Sequence, residues 1–74
     1  MKRSFTAYIE YDKESRAYVG SVPGISGAHT QAETRDELQK RLVEVVSLCI
    51  EVMDEDDKRF LPEFAGITQI EIDV

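Results

Sequence analysis

Glu10, Ser26, His29, Cys49 and the run Asp54-Glu55-Asp56-Asp57 are the residues whose types could do chemistry in this chain. Paired carboxylates can hold metal ions for phosphoryl transfer, which requires several of them to converge within about 4 Å of a shared ion pair. Glu10 stands on the first β-like run and on its outer face, while Glu44, Glu51 and residues 54–57 follow far downstream. No strand or turn spacing gathers a second and third carboxylate beside Glu10, so nuclease chemistry is not expected. His29 has Ser26 and Thr30 as neighbours but no acidic residue to orient an imidazole, which argues against nucleophilic hydrolysis. Cys49 lies among Val45, Val46, Val52 and Met53, with no cation to favour a thiolate, and reads as a small buried hydrophobe. The acidic run lacks the alternating ligands and central glycine of a calcium loop. A Gly-rich phosphate loop and a Cys/His metal cluster are also missing from the pattern. The expectation is a protein that is not an enzyme and has no catalytic, metal-binding or cofactor-binding residue.

Such residues must be carried by a small scaffold. Seventy-four residues make a single domain, residues 1–74, and a chain of this size buries only about 60% of its unfolded surface. Small domains of that kind are reinforced by disulfides, metals or association. One cysteine excludes an internal disulfide, so a homo-oligomer is expected. No apolar run is long enough to span a membrane and no cleavable leader is apparent, giving a reduced, cytoplasmic protein as the expectation. The net charge of −6 is uneven: residues 1–37 hold five Lys/Arg and six Asp/Glu, while residues 38–74 hold four and nine. Phosphate binding needs clustered cations, and only the pairs Lys2-Arg3, Lys40-Arg41 and Lys58-Arg59 are present. Direct nucleic-acid binding is therefore disfavoured, and a basic protein partner suits the charge better.

Residues 4–11 alternate with period two and read as a half-buried strand. A polar turn, Asp12-Lys13-Glu14-Ser15, leads to a second β-rich run from Arg16 to Val22. With Tyr11 opposite Arg16, the hairpin places Ile9 across from Tyr18, Ala7 from Gly20 and Phe5 from Val22 on the core face. Tyr8 and Val19 then pair on the other face. Pro23 and Gly24 end the second strand, and a short third strand spans Ala28 to Ala32. Thr34-Arg35-Asp36-Glu37 has the form of a capping box, with Thr34 accepting from the amide of Glu37 and the Glu37 carboxylate reaching back. The helix that follows runs to about Met53, with an apolar stripe of Leu38, Leu42, Val45, Val46, Cys49, Val52 and Met53. Val43, Leu48 and Ile50 fall outside that stripe. After the polar break at 54–59, Phe60 to Phe64 returns the chain over the core. Residues 67–74 close as a strand with Ile70, Ile72 and Val74 on one side and Gln69, Glu71 and Asp73 on the other. The fold class is α+β: a two-layer sandwich in the order β-β-β-α-β, one helix on a mainly antiparallel four-stranded sheet.

The strand Phe5-Thr6-Ala7-Tyr8-Ile9-Glu10 and the stretch from Tyr18 to Leu38 together resemble the HicB-like antitoxin family over about residues 5–50. The family pattern has an aromatic-Val strand, Ser-x-Pro, a loop containing Pro-Gly-Cys, and Thr-x-Gly-x-Thr-x-x-Glu-Ala opening a helix. Ser21-Val22-Pro23, Gly27, Thr30, Thr34 and Glu37 fall on that pattern; Ser26, Ala28, Ala32 and Leu38 replace its Pro, Cys, Gly and Ala. The resemblance implies a partial RNase H-like fold and, as partner, a small basic HicA-like toxin that cleaves mRNA. An antitoxin of this kind acts by covering the toxin's RNA-binding and active surface. Full-length members of that family usually append a DNA-binding module; with the sequence ending at Val74, none is expected here.

Two readings follow: an antitoxin-type binding protein, or an orphan HicB-like domain with a structural or small-ligand regulatory role. For the first, the expected partner-binding residues are Ser26, Gly27, Ala28, His29 and Thr30 with Asp54, Glu55, Asp56 and Asp57. The expected oligomer interface is Tyr8, Val19, Val43, Leu48 and Ile50.

Overall fold

The computed structural model describes residues 3–74, and Lys2 of the Lys2-Arg3 pair lies outside the described residues. Three strands, β1 (Tyr8–Asp12), β2 (Ala17–Ser21) and β3 (His29–Ala32), are followed by the helices α1 (Arg35–Glu51) and α2 (Glu55–Arg59). The strands form one antiparallel sheet in the order β1-β2-β3, leaving β1 and β3 as edges. α1 packs across one face of the sheet, giving an α+β arrangement of two layers.

The first hairpin closes one residue later on each side than the expected turn. Asp12 faces Ala17, Tyr11 faces Tyr18 and Ile9 faces Gly20. Side-chain chemistry explains the shift. Asp12 accepts from the Glu14 amide at 3.1 Å and from the Ser15 hydroxyl at 2.8 Å, which makes it the turn's anchor. Arg16 completes the reversal at a φ of 56°, and Tyr11 meets Tyr18 edge-on with ring centroids 5.0 Å apart. Each residue's partner changes by two positions, and a displacement of two keeps every side chain on its expected face.

Between β2 and β3 the chain folds into a small closed loop. The Val22 amide donates to the Ala28 carbonyl at 2.9 Å, and the Ala28 amide donates to Ile25 at 3.2 Å. Both bonds turn Ile25 and Ala28 inward, where with Val22 they form a buried cluster against Val46, Cys49, Ile50, Met53 and Leu61. A second cluster joins Ala32, Leu38 and Leu42, with Ala7, Ile9 and Tyr18 packed on it. Gly20 lies beneath α1, so close that a Cβ there would come within 2.9 Å of Leu42 Cδ1.

α1 starts where the capping signal placed it: the Glu37 amide donates to Thr34 Oγ1 at 3.2 Å. The reciprocal half of the box is replaced, because Glu37 Oε1 accepts from Arg41 Nη2 at 2.9 Å, one helical turn on. The helix stops at Glu51 rather than Met53, and Val52 projects into solvent instead of joining the stripe. The run at 54–59 is no simple break. Asp54 Oδ1 accepts from the Asp57 amide at 2.8 Å and so caps α2. Of the stretch from Phe60 to Phe64 expected over the core, Leu61 packs there, whereas Phe60 and Phe64 remain exposed.

The expected fourth strand is not formed within the chain. Residues 61–74 carry no strand, and Ile67, Ile70, Ile72 and Val74 are exposed. An alternating pattern makes a sequence suited to a ladder, but the ladder also needs an edge within reach. Here the described sheet has three strands.

Candidate interaction surface

Sheet pairing brings three of the expected residues onto one face. Tyr8 faces Ser21, and Ser21 faces His29; in the next row Glu10, Val19 and Gln31 stand side by side. Strand alternation directs both rows away from Gly20 and therefore away from α1. This is the face of the sheet that the helix does not cover. Tyr8 remains 43% exposed and Val19 half-buried, and His29 stands exposed at the end of their row. The sequence separated Tyr8 and Val19 from His29 as two different surfaces; the register makes them one.

The loop 26–30 is only partly a surface. Ser26 and Gly27 are exposed, but Ala28 is 2% exposed and belongs to the core, so it cannot contact a partner. Its burial follows from the two hydrogen bonds that close the loop. Thr30 faces Gly20 on the helix side of the sheet and is half-buried, turned away from His29. The Cys49 thiol donates to the Ser26 carbonyl at 3.6 Å and packs against the Ile25 cluster, which holds the loop to α1.

The acidic run is ordered by its own charges. Asp54 caps α2, Lys58 Nζ lies 3.5 Å from Glu55, and Arg59 Nη2 lies 3.5 Å from Asp56. Asp54, Glu55, Asp56 and Asp57 all remain exposed, at the start of a short helix whose amide dipoles favour negative charge. Lys58 and Arg59 are engaged in this way, and so is Arg41 of the Lys40-Arg41 pair. Arg41 donates to the Gln31 carbonyl at 2.7 Å as well as to Glu37.

Of the remaining interface candidates, Val43 and Leu48 are exposed, but Ile50 is half-buried against the Val22-Ile25-Ala28 cluster. Ile50 falls at i+4 from Val46 and shares its side of the helix. Val43 and Leu48 are five positions apart, about 140° around the helix, and do not form one patch. Val43 instead borders a groove the sequence reading did not foresee. α1 lies over β3 and β2, leaving the core-side residues Phe5, Ala7 and Ile9 facing Val43, Val46 and Ile50 across an open cleft of about 810 Å³. The breadth of the apolar helix surface, wider than one stripe, was the available signal.

Among the described residues, no group of three or more His, Cys, Asp or Glu lies close enough to hold a metal ion. No helix among them is long and apolar enough to cross a membrane.

The chain is similar along almost its whole length to three small proteins. It is 38% identical over 73 residues to a UPF0150 protein of Thermotoga maritima, covering 99% of this chain and 95% of the relative. A UPF0150 protein of Synechocystis is 35% identical over 69 residues, with 93% and 94% covered. One from Archaeoglobus fulgidus is 37% identical over 68 residues, with 92% and 93% covered. No protein-family model matches the chain, and no solved structure matches it. With both partners of each comparison covered nearly end to end at more than a third identity, the chain belongs to the UPF0150 family.

Proposed function

We propose that this protein is an antitoxin-type binding domain that neutralises a small, basic, HicA-like mRNA-cleaving toxin by covering its RNA-binding and active surface. The HicB-like resemblance of residues 5–50 motivates the choice of partner. The observation that carries the reading is the placement of acidic charge: nine Asp/Glu against four Lys/Arg in residues 38–74, with Glu55, Asp56 and Asp57 exposed at the start of α2. Such a surface repels phosphate and attracts a Lys/Arg-rich groove, chiefly by raising the association rate. The uncovered sheet face with Tyr8, Val19 and His29 supplies apolar and hydrogen-bonding contact for the docked state. Ser26 and Gly27 flank the loop that leads into His29.

The test is co-expression with the neighbouring gene product and recovery of the complex, followed by binding kinetics. Neutralising the patch (Asp54→Asn, Glu55→Gln, Asp56→Asn, Asp57→Asn) is expected to slow association several-fold at low salt and flatten its salt dependence. Asn at position 54 preserves the cap, so the helix survives the change. Association at the parent rate removes the patch from the reading. Failure to recover any basic ribonuclease from the native host removes the toxin partner.

A further inference from the structure

Residues 67–74, Ile-Thr-Gln-Ile-Glu-Ile-Asp-Val, have the composition of a half-buried strand and none of its partners. Ile70, Ile72 and Val74 alternate with Gln69, Glu71 and Asp73, a period that presents one apolar and one wet face. Yet Ile67, Ile70 and Ile72 are 73, 76 and 69% exposed. Elsewhere in the same molecule β1 has a neighbour on one side only, and its open edge borders the groove between Phe5, Ala7, Ile9 and α1. An unpaired strand pattern and an unpaired edge over an apolar groove are complementary surfaces.

We propose that residues 67–74 of one copy form the fourth strand on the β1 edge of a second copy, in a reciprocal exchange that lays Ile70, Ile72 and Val74 over the groove. At about 3.3 Å per residue, eight residues span roughly 26 Å, ample for the length of β1.

The path of the chain favours the partner's edge over its own. Leu61 is packed on the core, and Pro62 sits where any Cβ at Gly24 would fall. Gly66 then adopts a φ of 152°, open to glycine alone, and residues 67–74 beyond it are exposed. The Cα radius of gyration is 14.1 Å, against about 11 Å for a compact chain of this length. The surface tells the same story. The chain exposes 6678 Å², whereas a folded monomer of its mass exposes about 4,600 Å². The excess of roughly 2,000 Å² exceeds the ~800 Å² per partner that a stable interface buries. Exchange of one element between copies is a low-cost route to a dimer, because the contacts are those the element would make at home.

The test compares the full-length parent with Glu71→Pro, which removes a ladder donor at a solvent-facing position, and with Ile72→Asp. Ile67, Ile70, Ile72 and Val74 are largely exposed in a single chain, so both variants are expected to keep the parent's circular dichroism from α1. The parent is expected to sediment at twice 8.4 kDa at micromolar concentration, and both variants at half that mass. A parent sedimenting as one chain overturns the proposal, and so do variants that remain dimeric, which would place the interface elsewhere. A second measurement separates exchange from folding back. Two Cys49→Ser chains, one with Thr6→Cys and one with Glu71→Cys, are unfolded, mixed, refolded and treated with a short bismaleimide. A cross-linked heterodimer is the expected product. Its absence, with internal cross-linking of a chain carrying both cysteines, shows pairing within one chain and overturns the exchange. Neither result depends on the toxin reading, since no toxin is present in either experiment.

Discussion

Thr34 and Arg16 show how single residues direct this chain. The Thr34 hydroxyl is the acceptor for the Glu37 amide at the start of α1, and its removal leaves that donor to water. Thr34→Ala is expected to cost about 1 kcal/mol in chemical denaturation. Arg35→Ala, one position inside, should cost markedly less; equal losses would mean that Thr34 is not the cap. Arg16 makes the opposite case, because its φ of 56° is one that a side chain disfavours. Arg16→Gly removes that penalty, gives back part of it as unfolded-chain entropy, and is expected to stabilise by about 0.5 kcal/mol. A loss of stability would show that the Arg16 side chain contributes contacts outweighing its strain.

At the scale of elements, the fit of α1 to the sheet is decided at Gly20. Leu38 is fully buried and Leu42 nearly so, and both reach toward the missing side chain of Gly20. A methyl group there would force Leu42 off its place in a packed core. Gly20→Ala is therefore expected to destabilise by about 1–3 kcal/mol, measured by urea unfolding. An unchanged midpoint would mean that α1 can ride outward at no cost. The same close approach draws α1 toward β2 and β3 and away from β1, and so the groove exists.

Across the whole molecule, two surfaces are left unfinished. The sheet face with Tyr8, Val19 and His29 has no cover from α1, and the groove beside β1 has no strand above it. Among the described residues seven apolar side chains are buried within the single chain, and the proposed strand exchange would bury Ile70, Ile72 and Val74 as well. Stability is accordingly expected to rise with protein concentration. Thermal unfolding of the parent should shift upward over a hundredfold range of concentration, while Glu71→Pro should not. A parent midpoint independent of concentration would argue for a self-sufficient monomer.

Sequence alone determined what depends on near neighbours in the chain. Thr34 with the Glu37 amide is a three-residue relation, Leu38 and Leu42 are one helical turn apart, and Pro23-Gly24 ends β2 through its own backbone chemistry. The assignment of faces also survived, because a two-residue change of hairpin pairing leaves alternation intact. Legibility ended where one segment must choose among distant surfaces. The register needed the Asp12 carboxylate and the Tyr11–Tyr18 contact together. Ala28 looked like an exposed loop residue until the Val22–Ala28 hydrogen bond turned it inward. His29 joined Tyr8 only through β2 between them. Alternation in residues 67–74 predicts a strand, but those residues form none in the structure. That outcome rests with tertiary structure, since a ladder's free energy belongs to both strands and its second strand lies outside the segment's own sequence.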